Sequence, residues 1–323
     1  MQTTSLPGTG LQVSRLSLGT MTFGGQTGEQ DSLAILDFAY GQGVNFWDTA
    51  NVYNAGESER IVGKALKGRR DDIILATKVF NPMSDRINDR GLSRRAILSA
   101  VDASLTRLGT DYIDLYYLHA PDHQTELQET LSTLDTLVRS GKVRYTGVSN
   151  YAAWQVADML AICQREGYAR PVFSQNIFNL LTRDAQREML PFLRAHHMGM
   201  TVYNPIAGGL LSGKHRRGAP AEGTRFALNQ GYRNRYWLEE NFQAVEQLEA
   251  IAAGQGMSLL ALSMKWCLAQ PGVSSIISGV SKLSQLKENL LALEGEAPSQ
   301  ETLAACDAVW DGLPVGSRFS YIR

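Results

Sequence analysis

The sequence predicts one (β/α)8 barrel domain over residues 1–323, with a short N-terminal hairpin and a long loop after the seventh barrel strand. Three observations predict it. From about residue 16 short apolar segments alternate with longer amphipathic ones, which implies parallel strands joined by helical crossovers. The strand count reaches eight, the number at which closure is preferred over an open sheet. The G-x-G-x-x-G turn of a doubly wound sheet is missing after the first strand; Gly8 and Gly10 in LPGTGLQVS precede that strand and suit a small hairpin.

Each unit has its own signals. RLSLGTMTFG is the first barrel strand, and DSLAILDFAYGQG its helix, with Leu33, Leu36 and Tyr40 at helical spacing and Gly41 and Gly43 as stops. VNFWDTA leads to ESERIVGKALKG. DIILATKVF leads to SRRAILSAVDASLTRLG, where Ser93 is a suitable N-cap and Gly109 a suitable stop. YIDLYYLH precedes LQETLSTLDTLVRSGK, VRYTGVSN precedes AAWQVADMLAICQREG, and PVFSQNIFN precedes REMLPFLRAHHMG. MTVYNPIA opens the long polar segment 208–238, too long for an ordinary connection and therefore functional or mobile, before NFQAVEQLEAIAAGQG. An extra helix, LLALSMKWCLAQ, precedes the last strand VSSIISGV and its helix LSQLKENLLAL, and the closing tail LPVGSRFSYIR is short enough to promise few contacts to a ligand.

Composition narrows the partners. A hydrophobic content of 44%, a charged content of 20% and a formal net charge of -1 describe a globular protein with no electrostatic reason to bind nucleic acid or an anionic membrane. A small neutral or anionic ligand fits better. The start MQTTSLPGTG lacks a signal-peptide pattern and no run of about eighteen apolar residues occurs, so the cytoplasm is the expected location. Cys163, Cys267 and Cys306 are odd in number and widely spaced, so they read as buried free thiols.

Asp48, Lys78 and His119 each close one of three successive strands, and Tyr53 follows Asp48 in the next loop. In a barrel these ends converge on one mouth. A phenol with an ordinary pKa of about 10 is a poor acid near neutrality, but a neighbouring ammonium favours the phenolate and eases release of the proton. Lys78 is suited to that task, and Asp48 beside it would keep the lysine charged against desolvation. His119 adds a neutral donor able to orient a carbonyl oxygen toward Tyr53. Taken singly these are common cap, ion-pair and packing residues; together they form a set that protonates an oxygen gaining negative charge. With no strong nucleophile and no metal cage in the set, a hydride from a reduced nicotinamide is the economical electron source. The reaction so described is carbonyl reduction, or its reverse.

The chain resembles the aldo-keto reductases over nearly its whole length. WDTANVYNAGESE, LATK and YYLH match that family's Asp, Tyr, Lys and His residue by residue at Asp48, Tyr53, Lys78 and His119, and SLGTMTFG, KVRYTGVSN and QLKENL follow in family order. The resemblance implies that Tyr53 is the general acid, that His119 orients the carbonyl, and that Lys78 and Asp48 tune Tyr53. It also implies a cofactor site at Thr20, Met21 and Asp48, with Ser149, Asn150 and Gln175 on the carboxamide of the nicotinamide and Tyr203 stacked on its ring. Asn204, Pro205, Leu211, Ser212 and Lys214, within YNPIAGGLLSGK, would line the pyrophosphate, and Arg225 would reach the adenosine end. Gly279 and Ser281 would hold a phosphate at the start of the last helix, where free N–H groups and the helix dipole favour one, with Gln285, Glu288 and Asn289 toward the adenine.

One departure bears on the cofactor. The mammalian-type members place Lys and Arg where this chain has Gly279 and Gln285, so Lys282, Lys214 and Arg225 would have to replace them. The pattern is similar to the branch of potassium-channel β-subunits and bacterial reductases, which implies NADPH rather than NADH, and no metal. Candidate pocket walls are Met21, Phe23, Tyr53, Phe80, Tyr232, Tyr236 and Trp237. Two other functions compete: an NADP(H)-binding regulatory or sensor protein with slow turnover, and a metal-dependent hydrolase using His119, His123, Asp122 and Asp48. The second lacks a strand-borne His-x-His pair.

Overall fold

In a computed structural model, which describes residues 1–321, the apolar segments pair into a closed parallel barrel. A hairpin of β1 (Thr3–Ser5) and β2 (Gln12–Ser14) precedes the barrel strands β3 (Leu16–Gly19), β4 (Phe46–Asp48), β5 (Ile74–Val79), β6 (Ile113–Leu118), β7 (Val143–Ser149), β8 (Pro171–Ile177), β9 (Gly199–Tyr203) and β10 (Val273–Gly279). The barrel runs in chain order and closes between β10 and β3. Among the described residues no helix is long and apolar enough to cross a membrane.

Period-two alternation divides the apolar side chains into two cores. Phe46, Ala76, Leu115, Tyr117 and Phe173 fill the barrel, whose floor is sealed by Leu6 and Val13 of the hairpin segment. Their neighbours Trp47, Leu75, Tyr116, Val148 and Met200 belong to the larger core beneath the helices. Aromatic filling requires small residues opposite: a Cβ on Gly199 would lie 2.3 Å from Phe173. The same alternation that turns Phe46 inward turns Asp48 inward one step higher, and likewise Ala76 and Lys78.

The helix signals operate as expected at Ser93, whose Oγ accepts from the Ala96 amide at 3.3 Å, and at Gly109, which ends its helix in the left-handed region with φ 63°. All three cysteines are buried and free, and burial pushes the Cys163 and Cys306 thiols up to about 11. The 208–238 segment carries structure of its own, the short helices Arg225–Leu228 and Gln230–Tyr236, and Arg217 ties it to Glu239 and Glu246. A helix Gln300–Gly312 follows the eighth unit, and the tail after it is anchored: Phe319 stacks under Arg235 at 4.0 Å and Tyr321 is 2% exposed.

Candidate active site

The quartet assembles at the C-terminal mouth. Asp48 and Lys78 are buried on adjacent strands, the β4–β5 register pairing Asp48 with Ala76. Lys78 Nζ donates to Asp48 Oδ1 at 2.5 Å, to the Thr49 carbonyl at 2.7 Å and to the Tyr53 hydroxyl at 3.3 Å. An ammonium has three hydrogens, and these contacts use all of them. The second Asp48 oxygen accepts from Gln175 Nε2 at 2.8 Å, so the buried carboxylate is satisfied at both ends. His119 follows β6, its ring edge-on to Tyr53 at 6.0 Å between centroids.

Tyr53 is fixed by the turn that follows it. Asn54 and Ala55 adopt left-handed φ values of 48° and 53°, and Asn54 Nδ2 donates to the carbonyls of Met21 and Phe23 at 3.0 and 2.8 Å. Gly56, with φ 88°, allows Arg107 to approach so closely that a Cβ there would lie 2.7 Å from its Cδ. Arg107 in turn pairs with Glu59 at 2.7 Å, and Thr77 donates to the same carboxylate at 2.6 Å. The turn is thereby clamped to β5 immediately beside Lys78.

Burial alone would push the Lys78 ammonium down, but the charge of Asp48, then of Tyr53, and the hydrogen bonds to both outweigh it and hold its pKa above the ordinary 10.5. For Tyr53, burial is the largest influence and raises the pKa; Lys78 lowers it as expected, Asp48 raises it again, and the net position is above the ordinary 10.0. The influence of Lys78 thus has the expected sign and is outweighed by burial. The phenol stays fully protonated at neutral pH. Alkaline titration followed by phenolate absorbance, wild type minus Tyr53→Phe, should place this midpoint above 10.0; a lower midpoint would mean that Lys78 dominates.

A cavity of about 790 Å³ opens from this mouth. Asp48, Tyr53 and His119 line it, as do Lys214, Arg225, Ser281, Lys282, Gln285 and Glu288. Thr20, Met21, Ser149, Asn150, Gln175, Tyr203, Asn204, Pro205, Ser212, Gly279 and Asn289 line it too, so all but one of the residues expected to hold a cofactor reach one space. The exception is Leu211, fully buried, with its amide donated to the Ile206 carbonyl at 3.2 Å.

Several lining groups already have partners. Gln175 and Ser149 are neighbours in the β7–β8 register, and Asn150 accepts from the Tyr203 hydroxyl at 2.7 Å while donating to the His119 carbonyl at 2.9 Å. Lys214 spans to Glu288 at 2.7 Å. Gln285 accepts from the Ser281 and Lys282 amides at 2.8 and 3.2 Å, capping the helix start expected to hold a phosphate. Asn289 is held by the Ser278 hydroxyl at 2.8 Å.

The aromatic walls divide. Met21, Tyr53 and Tyr232 line the cavity, whereas Phe23 and Tyr236 are buried in the core. Phe80 packs on the core from its edge, and Trp237, which does not line the cavity, joins Phe226, Phe242 and the lining residue His215 in a ring cluster. Two contacts were absent from the sequence reading: the Gln175 bond to Asp48 and an Asn81 bond to His119 Nδ1 at 3.2 Å. No group of three or more His, Cys, Asp or Glu among the described residues is placed to hold a metal ion.

Comparison with known proteins gives a consistent result. The model of the aldo/keto reductase family matches residues 15–311. A probable voltage-gated potassium channel subunit beta from Arabidopsis thaliana is 36% identical over 303 residues, covering 91% of this chain and 92% of that protein. An uncharacterized oxidoreductase, YrpG, from Bacillus subtilis is 38% identical, covering 91% of each chain. Aflatoxin B1 aldehyde reductase member 2 from Rattus norvegicus is 34% identical, covering 91% of this chain and 84% of its own.

Proposed function

The chain belongs to the aldo/keto reductase family and is an NAD(P)H-dependent oxidoreductase, and from that premise we propose that it reduces an aldehyde or ketone to the alcohol, reversibly, with NADPH as hydride source and Tyr53 as proton donor. The observation that carries this reading is the saturation of Lys78. Its ammonium gives a hydrogen to the Tyr53 oxygen, so that oxygen is an acceptor on the lysine side and its own hydrogen points elsewhere, toward the cavity that Tyr53 lines. Proton transfer from Tyr53 then leaves a phenolate next to an ammonium held charged by Asp48. His119, at the same mouth, is the second donor to the carbonyl oxygen.

The residues suit a dinucleotide. The cavity is lined both by proton-transfer groups, Tyr53 and His119, and by the cations Lys214, Arg225 and Lys282. Asn204 Nδ2, a lining donor that is buried without a hydrogen-bond partner, is suited to an acceptor on a ligand. When bound, NADPH supplies the hydride. Ser149, Asn150 and Gln175 would hold its carboxamide, Tyr203 its ring, and Ser281 with Gln285 and Glu288 its adenosine end. Lys214 is compensated by Glu288, whereas Arg225 and Lys282 line the cavity with no carboxylate partner among the described residues. These two cations are the proposed basis for preferring NADPH.

Parallel fluorescence titrations with NADPH and NADH test the cofactor assignment. Arg225→Ala with Lys282→Ala is expected to weaken NADPH by about 10- to 100-fold, the worth of one charge-assisted contact, and to leave NADH unchanged. Binding of neither nucleotide would remove the reading. The name of the Arabidopsis relative favours a second one, a nucleotide-holding regulatory protein with slow turnover. Steady-state NADPH oxidation against a panel of aldehydes separates them, since fast turnover belongs only to the first.

A further inference from the structure

We infer that Asn81 is a positioning residue that fixes the tautomer of His119, holding its proton on Nε2 so that the imidazole presents a donor to the substrate oxygen. The inference rests on the carbonyl-reduction reading above and adds a residue to it. Asn81 Nδ2 lies 3.2 Å from His119 Nδ1. An amide nitrogen only donates, so the ring nitrogen facing it must offer its lone pair, and a neutral ring then carries its hydrogen on Nε2. Asn81 does not line the cavity, whereas His119 does, so the amide acts through the ring.

The backbone makes this contact a fixed one. The β5–β6 register pairs Val79 with Leu118, and the His119 amide donates to the Val79 carbonyl at 2.9 Å, so the two strand ends leave the barrel side by side. On one side the His119 carbonyl accepts from Asn150 at 2.9 Å. On the other, the Gly91 amide donates to the Phe80 carbonyl at 2.7 Å and the Leu92 amide to Asp122 at 2.8 Å, closing the loop that starts at Asn81. Both partners therefore sit on restrained backbone.

The tautomer matters because a lone pair on Nε2 would repel the carbonyl oxygen and compete for the Tyr53 hydrogen. With Nε2 protonated, two donors point at one oxygen as it gains charge.

The test is the 15N spectrum of the His119 ring in the ligand-free full-length protein, assigned by difference from His119→Gln. Wild type is expected to show an unprotonated Nδ1 and a protonated Nε2. Asn81→Asp replaces the donor by an acceptor of the same shape and should draw a proton onto Nδ1; Asn81→Ala should give a mixture. In both variants kcat/KM for an aldehyde should fall by about 10- to 100-fold, as when the partner that orients a functional histidine is lost, with NADPH affinity unchanged. A wild-type proton on Nδ1, or an Asn81→Asp spectrum identical to wild type, would overturn the inference. The spectrum is read without substrate or turnover, so its outcome is separate from that of the reductase reading.

Discussion

Tyr53→Phe is expected to lower kcat/KM for carbonyl reduction by about 10²- to 10⁴-fold, the usual worth of a positioned general acid, with NADPH affinity unchanged. The hydroxyl is one atom at the end of a ring that the following turn holds in place through Asn54, so the variant keeps the wall of the cavity and loses only the proton. Stability should change little. The contact from Lys78 to Tyr53 is the longest of its three, and the shorter bonds to Asp48 and Thr49 remain. His119 keeps its own hydrogen bond to Asn81, so the residual rate reports the contribution of carbonyl polarisation without proton transfer. Single-turnover hydride transfer monitored by nicotinamide fluorescence separates this loss from slow product release. A variant that turns over at the wild-type rate would remove Tyr53 from the chemistry altogether.

The extent to which this site could be read in advance follows from how each part is encoded. Strands and helices were legible because their two periodicities differ, and the barrel because eight units recur. The quartet was legible for a related reason: a residue at a strand end keeps its place whatever the loop after it does, and Asp48 closes β4, Lys78 is the last residue but one of β5 and His119 directly follows β6. Loop aromatics have no such anchor. Phe23 turns inward because its amide bonds back to Thr20 and Gly24 takes φ 77°, a conformation that its spacing does not announce. Contacts across the barrel are equally silent. Gln175 and Asp48 are 127 positions apart and Asn81 and His119 are 38 apart, and both bonds depend on strand register and side-chain reach together. The net Tyr53 shift is a sum of opposed effects: the Lys78 contribution could be anticipated, whereas the depth of burial that outweighs it is a property of the folded mouth.

Lys78→Met should be the most destabilising substitution at the site, by about 3–5 kcal/mol, because it leaves the Asp48 carboxylate buried with only Gln175 for company. Asp48→Asn should cost less, since an amide can still accept from Lys78 while leaving the ammonium without its counter-charge. The double variant should recover part of the loss, as removing both charges avoids an unpaired one, and the coupling between the two positions is what a double-mutant cycle in urea measures. Activity should stay lost in all three, so stability and turnover part company at the double variant. The pH dependence has a definite sign. Lys78 binds its proton more tightly in the folded protein, so its contribution is complete below 10.5 and is lost as the pH rises through the higher folded value. Tyr53 acts in the same window, because the unfolded phenol ionises from 10.0 upward while the folded one resists. Wild type should therefore lose stability above that pH faster than the Tyr53→Phe, Lys78→Met protein. If Lys78→Met unfolds at the wild-type urea midpoint, the pair is not the buried ion pair on which the acid at Tyr53 depends, because a carboxylate that tolerates losing its lysine was never relying on it.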